Sequence, residues 1–219
     1  MGRARVPGML GSIDCMHWEW KNRPAAWKGM HTSGFKAKHP RRSLEVVADY
    51  RLWIWHAYFG VAGSNNDINV LQSSPLFNDQ RNGVGPAISF VANGIQHNMG
   101  YYLADGIYPN WPVFVKTIKH PIGQKKSYFA SRQEAARKDV ERAFGVLQSR
   151  WAMVKGPSRM WYIPNIGDIM YACIILHNMI VESKGEELTQ WTNEDDTGAG
   201  PSHGVASANV NMGGTSWRG

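Results

Sequence analysis

MLGSIDCMHW, at residues 9–18, decides the fold, because its first part, Met9–Asp14, is an apolar run of strand length that ends at an acid. GYYLADGIYP, at residues 100–109, repeats this pattern: Tyr101–Ala104 predicts a short strand, and Asp105 follows it. Carboxylates at the ends of two strands can converge on one point, although 91 residues separate these two. These two acids can meet only if the two strands are neighbours in one sheet.

The third acid, Glu141, lies in RKDVERAFGVL at residues 137–147, a strongly helical segment. From Ser131 the apolar residues recur at helical spacing, which predicts a helix of about 20 residues. The stripe consists of Val140, Phe144, Leu147 and Trp151. A second, apolar helix is predicted to begin at Pro164 or Asn165.

The remaining predicted elements complete an α/β domain. Further strands are expected at Leu44–Asp49, Leu52–Gly60, Ile88–Ala92 and Val113–Lys116, with a short helix over Ile68–Leu71. The first three strands have close connections and predict an antiparallel ribbon at one side of a mixed sheet. Strands followed by long helices in one chain favour an α/β layer domain.

Composition bounds the class of protein. With 43% apolar residues and 10 Trp among 219 residues, the chain has enough apolar material for a packed core. Its two cysteines imply no disulfide framework and fit a reducing compartment. No apolar run approaches the roughly 18–20 residues of a membrane span, so no membrane partner is expected. We predict one domain over 1–185 and a disordered polar tail over 186–219.

The net charge of +7 is unevenly distributed. Residues 1–50 carry a net +5 and residues 116–160 a net +8, whereas residues 182–219 carry −4. Basic blocks of this size suit a polyphosphate partner such as DNA. An ordinary solvated surface with excess charge explains them equally well.

Converging carboxylates indicate a divalent cation. Carboxylates repel one another and are costly to hold together unless a cation lies between them. Oxygen ligands suit Mg²⁺ or Mn²⁺, and the sequence has no Cys/His cluster spaced for zinc. The three acids therefore predict a magnesium or manganese site and phosphoryl-transfer chemistry.

Several motifs in chain order resemble one family. GSIDCMHW, SNNDINVL, GYYLADGIYP, RKDVERAFGVLQSRW and CIILHNMIVE resemble the DDE endonuclease domain of PIF/Harbinger-type transposases, and in particular the plant transposase-derived nuclease-like proteins. The resemblance runs from about Gly11 to Glu182. It implies a ribonuclease-H-like mixed sheet flanked by helices, in an enzyme that cuts and joins DNA strands with two divalent metal ions.

The resemblance also implies site residues, partners and location. The catalytic acids fall on Asp14, Asp105 and Glu141, and a further metal ligand falls on Asp67. The implied partners are DNA and a Myb-like DNA-binding protein that assists nuclear entry, in the nucleus and secondarily the cytoplasm. A homo-oligomer is compatible with this interpretation. Only 13 residues precede Asp14, so we expect an N-terminally truncated or domesticated form.

Each acid also has an ordinary structural explanation. Asp14 can cap a loop, and Asp105, followed by Gly106, can begin a tight turn. Glu141 has Arg137 four residues before it, so a surface ion pair would explain it. Asp67 can serve as a helix N-cap.

Basic and aromatic residues add candidate nucleic-acid contacts. Phosphate contacts are predicted for residues flanking the site: Lys125, Lys126, Arg137, Lys138 and Arg142. The segment at 18–42 is expected to be a loop in which Trp18, Trp20 and Trp27 either contact DNA or pack in the core. His177, on an apolar helix, is expected to be packed and hydrogen-bonded rather than a metal ligand.

Three functions compete at this point. The first is a metal-dependent DNA endonuclease and strand transferase of transposase type. The second is a catalytically idle, transposase-derived nuclear protein that acts by binding DNA or a chromatin complex. The third is a nuclease acting on RNA, which shares the metal site but lacks support from the family motifs.

Overall fold

A mixed five-stranded sheet lies at the centre of the computed structural model, which describes residues 7–22, 41–62, 67–81, 84 and 86–184. In chain order the strands are β1 (Met9–Glu19), β2 (Arg41–Ala48), β3 (Ile54–Ala62), β4 (Ala87–Ala92), β5 (Ile95–Met99), β6 (Tyr101–Leu103) and β7 (Phe114–Val115). The helices are α1 (Asp67–Ser73), α2 (Asn78–Arg81), α3 (Gln124–Arg137), α4 (Asp139–Arg150), α5 (Ala152–Lys155) and α6 (Ile163–Lys184), with a 3₁₀ turn at Pro75–Phe77. The predicted tail at 186–219 lies outside the described residues.

The sheet has the strand order β3–β2–β1–β6–β7. β2 is antiparallel to both of its neighbours, β1 and β3, whereas β6 and β7 run parallel to β1. This confirms the α/β class, the antiparallel ribbon and the pairing of the first strand with the strand before Asp105. The strands β4 and β5 form a separate hairpin, of which only β4 was predicted.

The predicted helix of about 20 residues is wrong, because the segment forms two helices that meet at Lys138. The second, α4, buries the predicted stripe at Val140, Phe144 and Leu147. The first, α3, begins after Gly123 and buries only Gln133, so it lacks the apolar periodicity that would have marked it.

The first strand continues into the start of the segment that was expected to be a loop, and residues 23–40 of that segment lie outside the described residues. β1 extends to Glu19, and both Trp18 and Trp20 are buried in the core. The Trp20 indole Nε1 donates a hydrogen bond to the carbonyl oxygen of Met160 at 2.7 Å. Core packing is therefore the role of these two tryptophans, whereas Trp27 lies outside the described residues.

Hydrophobic clusters cover both faces of the sheet. On one face, β1 and β2 pack against α4 and α6 through residues that include Met16, Leu44 and Leu147. On the other face, Ile13 and Val47 pack with a cluster that includes Phe77. Because strand residues alternate between faces, Ser12 and Asp14 project on the same side as Met16, toward the helices. Ser12 Oγ donates a hydrogen bond to the carbonyl oxygen of Ala136 at 3.1 Å, which agrees with this orientation.

The long helix α6 is attached to the start of β3 by polar side chains. His177 is fully buried, and its Nε2 lies 2.7 Å from the carbonyl oxygen of Leu52, which confirms the predicted packed histidine. The amide of Asn178 pairs with both backbone groups of Ile54, at 2.9 and 2.8 Å. Among the described residues, α6 alone is long and apolar enough to cross a membrane, a property that it shares with core helices of soluble proteins. One of its faces is buried, including Met170 and Cys173.

Asn178→Ala is expected to lower the free energy of unfolding by about 1–2 kcal/mol, because the backbone groups of Ile54 then lose their partners. Urea denaturation of the purified protein would measure this. Ser183→Ala, on the exposed end of the same helix, serves as the control. A loss no larger than that of the control would contradict the structural role given to Asn178.

Candidate functional site

The parallel pairing of β1 with β6 brings two predicted acids to the same level of the sheet. The pairing ends at Ser12 and Leu103, and Asp14 and Asp105 each lie two residues beyond it. From this point on, β1 has no partner strand on its β6 side among the described residues.

The Asp14 carboxylate is partly buried and lies within electrostatic reach of other acids. Burial raises the pKa of Asp14 to about 6, against the hydrogen bond that its Oδ1 accepts from the Cys15 amide at 2.8 Å. Glu141 and Asp67 raise this pKa further, and Arg137 lowers it. Asp14 is thus a costly negative charge with two other carboxylates within electrostatic reach.

Asp105 follows β6 at the start of a turn. Its Oδ1 accepts a hydrogen bond from the Gly106 amide, and its carbonyl oxygen accepts one from the Tyr108 amide at 3.2 Å. The alternative role in a tight turn is therefore present in the structure. It does not remove the carboxylate from the site, because Asp105 also acts electrostatically on Arg137.

Glu141 lies in the first turn of α4 and is bound by an arginine. Its Oε1 accepts a hydrogen bond from Nη1 of Arg137 at 2.9 Å. Arg137 also donates to Glu134 Oε2. Burial alone would lower the pKa of Arg137, but Glu134, Glu141 and Asp105 together raise it. The ion pair that the sequence allowed for Glu141 is present, and its arginine is the positive centre of the acidic group.

Asp67 approaches from the other face of β1. It is the first residue of α1, and its Oδ1 lies 3.4 Å from Nε2 of His17. That oxygen is buried and has no hydrogen-bond partner among the described residues. The other ring nitrogen of His17 lies 3.1 Å from Ser43 Oγ, which orients the imidazole toward Asp67.

These residues fit a divalent cation in chemistry but do not form a closed ligand set. The desolvated Asp14 carboxylate and the Asp67 Oδ1, which lacks a hydrogen bond, are hard ligands of the type that Mg²⁺ and Mn²⁺ prefer. Within the described part of the chain, no group of three or more His, Cys, Asp or Glu side chains is arranged to hold a metal ion. Glu141 would have to leave Arg137 to complete such a group.

The predicted phosphate contacts divide into two sets. Lys125, Lys126 and Lys138 are exposed, the first two at the start of α3 and the third between α3 and α4. Arg137 and Arg142 are each paired with a carboxylate, and the partner of Arg142 is Asp139.

Two residues that the sequence did not indicate hold the site together. Gln133 is buried, and its Nε2 donates to the carbonyl oxygen of Val115 at 3.1 Å and lies 3.5 Å from that of Ala104, next to Asp105. Ser12 joins β1 to Ala136 at the end of α3. A glutamine inside a polar helical segment and a serine inside a strand carry no distinctive pattern, so only the fold identifies them.

Comparison with known proteins identifies the family. A model of the plant transposon protein family matches residues 1–188. Searches of curated proteins and of solved structures each return no significant match. Because the family model covers most of the chain, the protein belongs to the family of plant transposon proteins.

Proposed function

We propose that this transposon protein is a divalent-metal-dependent DNA endonuclease and strand transferase of transposase type. The observation that carries the proposal is the set of charges around Asp14. This partly buried carboxylate interacts with Glu141, Asp67 and Arg137, and the same arginine interacts with Asp105. These charges support a site built from acids of β1, the end of β6, α1 and α4.

The sheet order supports a ribonuclease-H-like architecture for this site. Three antiparallel strands are followed by two strands parallel to the first, and helices pack on the sheet. In the proposed enzyme Asp14, Asp105 and Glu141 are the catalytic acids, and Asp67 is a further metal ligand. The cofactor is Mg²⁺ or Mn²⁺, and two ions are expected.

The chemistry follows from the charge of a phosphodiester. When bound, the cations supply Lewis-acid stabilisation for in-line attack by water or by a DNA 3′-hydroxyl. Asp14, Asp67, Asp105 and Glu141 would hold these cations, and the hydrogen bonds from Ser12 and Gln133 hold the helix and strand ends that present the acids. Exposed Lys125, Lys126 and Lys138 are available to bind DNA phosphates.

A catalytically idle DNA-binding protein is the second candidate. It is favoured by the engagement of Glu141 with Arg137 and by the absence, in the described ranges, of a three-ligand metal group. Both candidates act on DNA in the nucleus and permit a Myb-like partner or self-association.

Metal binding separates the two candidates. The enzyme is expected to bind Mn²⁺ in isothermal titration and to nick supercoiled plasmid DNA when Mn²⁺ is present. Asp105→Asn should weaken Mn²⁺ binding at least about tenfold, because one charged ligand is lost. Asp168→Asn, an exposed acid on α6, is the matched control and should bind as the wild type does. A wild-type protein that fails to bind Mn²⁺ at millimolar concentration would favour the idle form.

A further inference from the structure

Arg137 lies between two glutamates that are both more exposed than it is. Its Nη1 donates to Glu141 Oε1 at 2.9 Å, while its Nε and Nη2 both lie 3.3 Å from Glu134 Oε2. The Arg137 side chain is 13% exposed, compared with 45% for Glu141 and 38% for Glu134. The guanidinium is therefore the inner member of the group, and the two glutamates cover it.

The two contacts of Arg137 differ in their structural basis. Glu134 and Arg137 belong to the same helix, α3, so that the helix itself fixes their separation. Glu141 belongs to α4, and its contact with Arg137 spans the junction at Lys138. Glu141 is also the more exposed partner, so it can turn away from the guanidinium while Glu134 retains it.

We propose that Arg137 is the resident counter-cation of the acidic site and that Glu134 is its positioning residue. In this arrangement Glu141 exchanges the guanidinium for a divalent cation, and Glu134 keeps Arg137 anchored at the edge of the site. The inference rests on the proposed metal-dependent function and adds to it a competition between an internal cation and the metal. It also agrees with the arrangement of the described acids, which do not form a closed ligand set while Glu141 is paired with Arg137.

The exchange predicts opposite effects of substitutions at neighbouring positions. Arg137→Gln removes the competing charge, so Mn²⁺ affinity should increase about tenfold. Glu134→Gln leaves Arg137 to Glu141 alone, so Mn²⁺ affinity should decrease about fivefold. Titration of each purified variant with Mn²⁺, followed by electron paramagnetic resonance of the free ion, measures both changes without any cleavage assay.

A double-mutant cycle separates positioning from simple charge removal. If Glu134 acts through Arg137, then Glu134→Gln should have little effect on Mn²⁺ affinity in an Arg137→Gln background. If Glu134 acts only as one more negative charge near the metal, the same fivefold loss should persist there, and this result would overturn its positioning role.

Thermal unfolding supplies a second readout. Without metal, Arg137→Gln should melt at a lower temperature than the wild type, because the acids around Arg137 lose their cation. Addition of Mn²⁺ should raise the melting temperature of this variant by more than it raises that of the wild type. Arg137→Lys keeps the charge but cannot contact both glutamates as arginine does. Its melting temperature should therefore lie between those of Arg137→Gln and the wild type. Equal or weaker Mn²⁺ affinity in Arg137→Gln, in a protein whose Asp14→Asn variant has lost binding, would refute the exchange. Failure of the wild type to bind Mn²⁺ would instead refute the proposed function.

Discussion

Asp14→Asn is expected to abolish nicking and, at the same time, to stabilise the metal-free protein at neutral pH. Loss of one group that stabilises charge in a transition state lowers rates by roughly a hundredfold to a thousandfold. Asparagine keeps the oxygen that accepts the hydrogen bond from the Cys15 amide at 2.8 Å. It removes the buried charge, so the fold should remain intact while the chemistry is lost.

The stability gain follows from the raised pKa of Asp14. Its pKa is about 6 in the folded protein and near 3.8 when unfolded, so between these pH values the folded state binds more protons than the unfolded state. The stability of the metal-free wild type should therefore fall as pH rises through this interval. The shift corresponds to about 2–3 kcal/mol at pH 7, which Asp14→Asn should recover.

Calorimetry from pH 4 to pH 8, in the presence of a chelator, checks this prediction. The variant should melt about 5–10 °C above the wild type at pH 7 and near it at pH 4. Asp168→Asn, on the exposed face of α6, should change neither value. A variant that melts below the wild type at pH 7 would contradict the description of Asp14 as a desolvated carboxylate.

His177→Phe is expected to destabilise the protein by about 2–4 kcal/mol. The imidazole Nε2 donates to the Leu52 carbonyl oxygen at 2.7 Å, and Nδ1 accepts from Arg150 at 3.1 Å. Leu52 has a φ of +66°, a left-handed conformation that is unfavourable for leucine and is held in part by this hydrogen bond. Phenylalanine fills the space but leaves the carbonyl and the guanidinium without this partner.

The pH dependence of this variant should differ from that of Asp14→Asn. Burial lowers the pKa of His177, so the unfolded state binds more protons than the folded state just below pH 6.5, and stability falls as pH falls. Asp14 and His177 thus oppose each other between about pH 4 and 6.5. In Asp14→Asn, which retains His177, the denaturant midpoint should fall as pH falls through this range. In His177→Phe this fall should be absent. Identical pH slopes in the two variants would contradict both assignments.

The strand-end acids could be predicted from sequence because a short apolar run and a following acid are local features. The register of Ser12 with Leu103 then places Asp14 and Asp105 at the same level, as a parallel pair of strands requires. The antiparallel ribbon was predictable for a similar reason, since β2 and β3 are apolar runs joined by a tight turn.

The break between α3 and α4 could not be predicted, because no Gly or Pro marks Lys138 and its φ and ψ of −64° and −4° are ordinary for a helix end. The surface of α3 is almost entirely polar, and its position depends on Gln133 and Ala136, which contact strands far away in sequence. The role of Arg137 was equally hidden. A sequence shows that an arginine lies four residues from Glu141, but not that Asp105 also acts electrostatically on that arginine.

The pairing of β1 with β6 has a consequence for synthesis of the chain. Ser12 meets Leu103, and its hydroxyl reaches Ala136 across a sequence separation of 124 residues. Contacts between residues so far apart in the sequence form slowly. The ribosome synthesises the chain from its N-terminus. Asp14 therefore emerges long before the residues that surround it, and a nascent chain cannot assemble this centre until translation has passed Glu141.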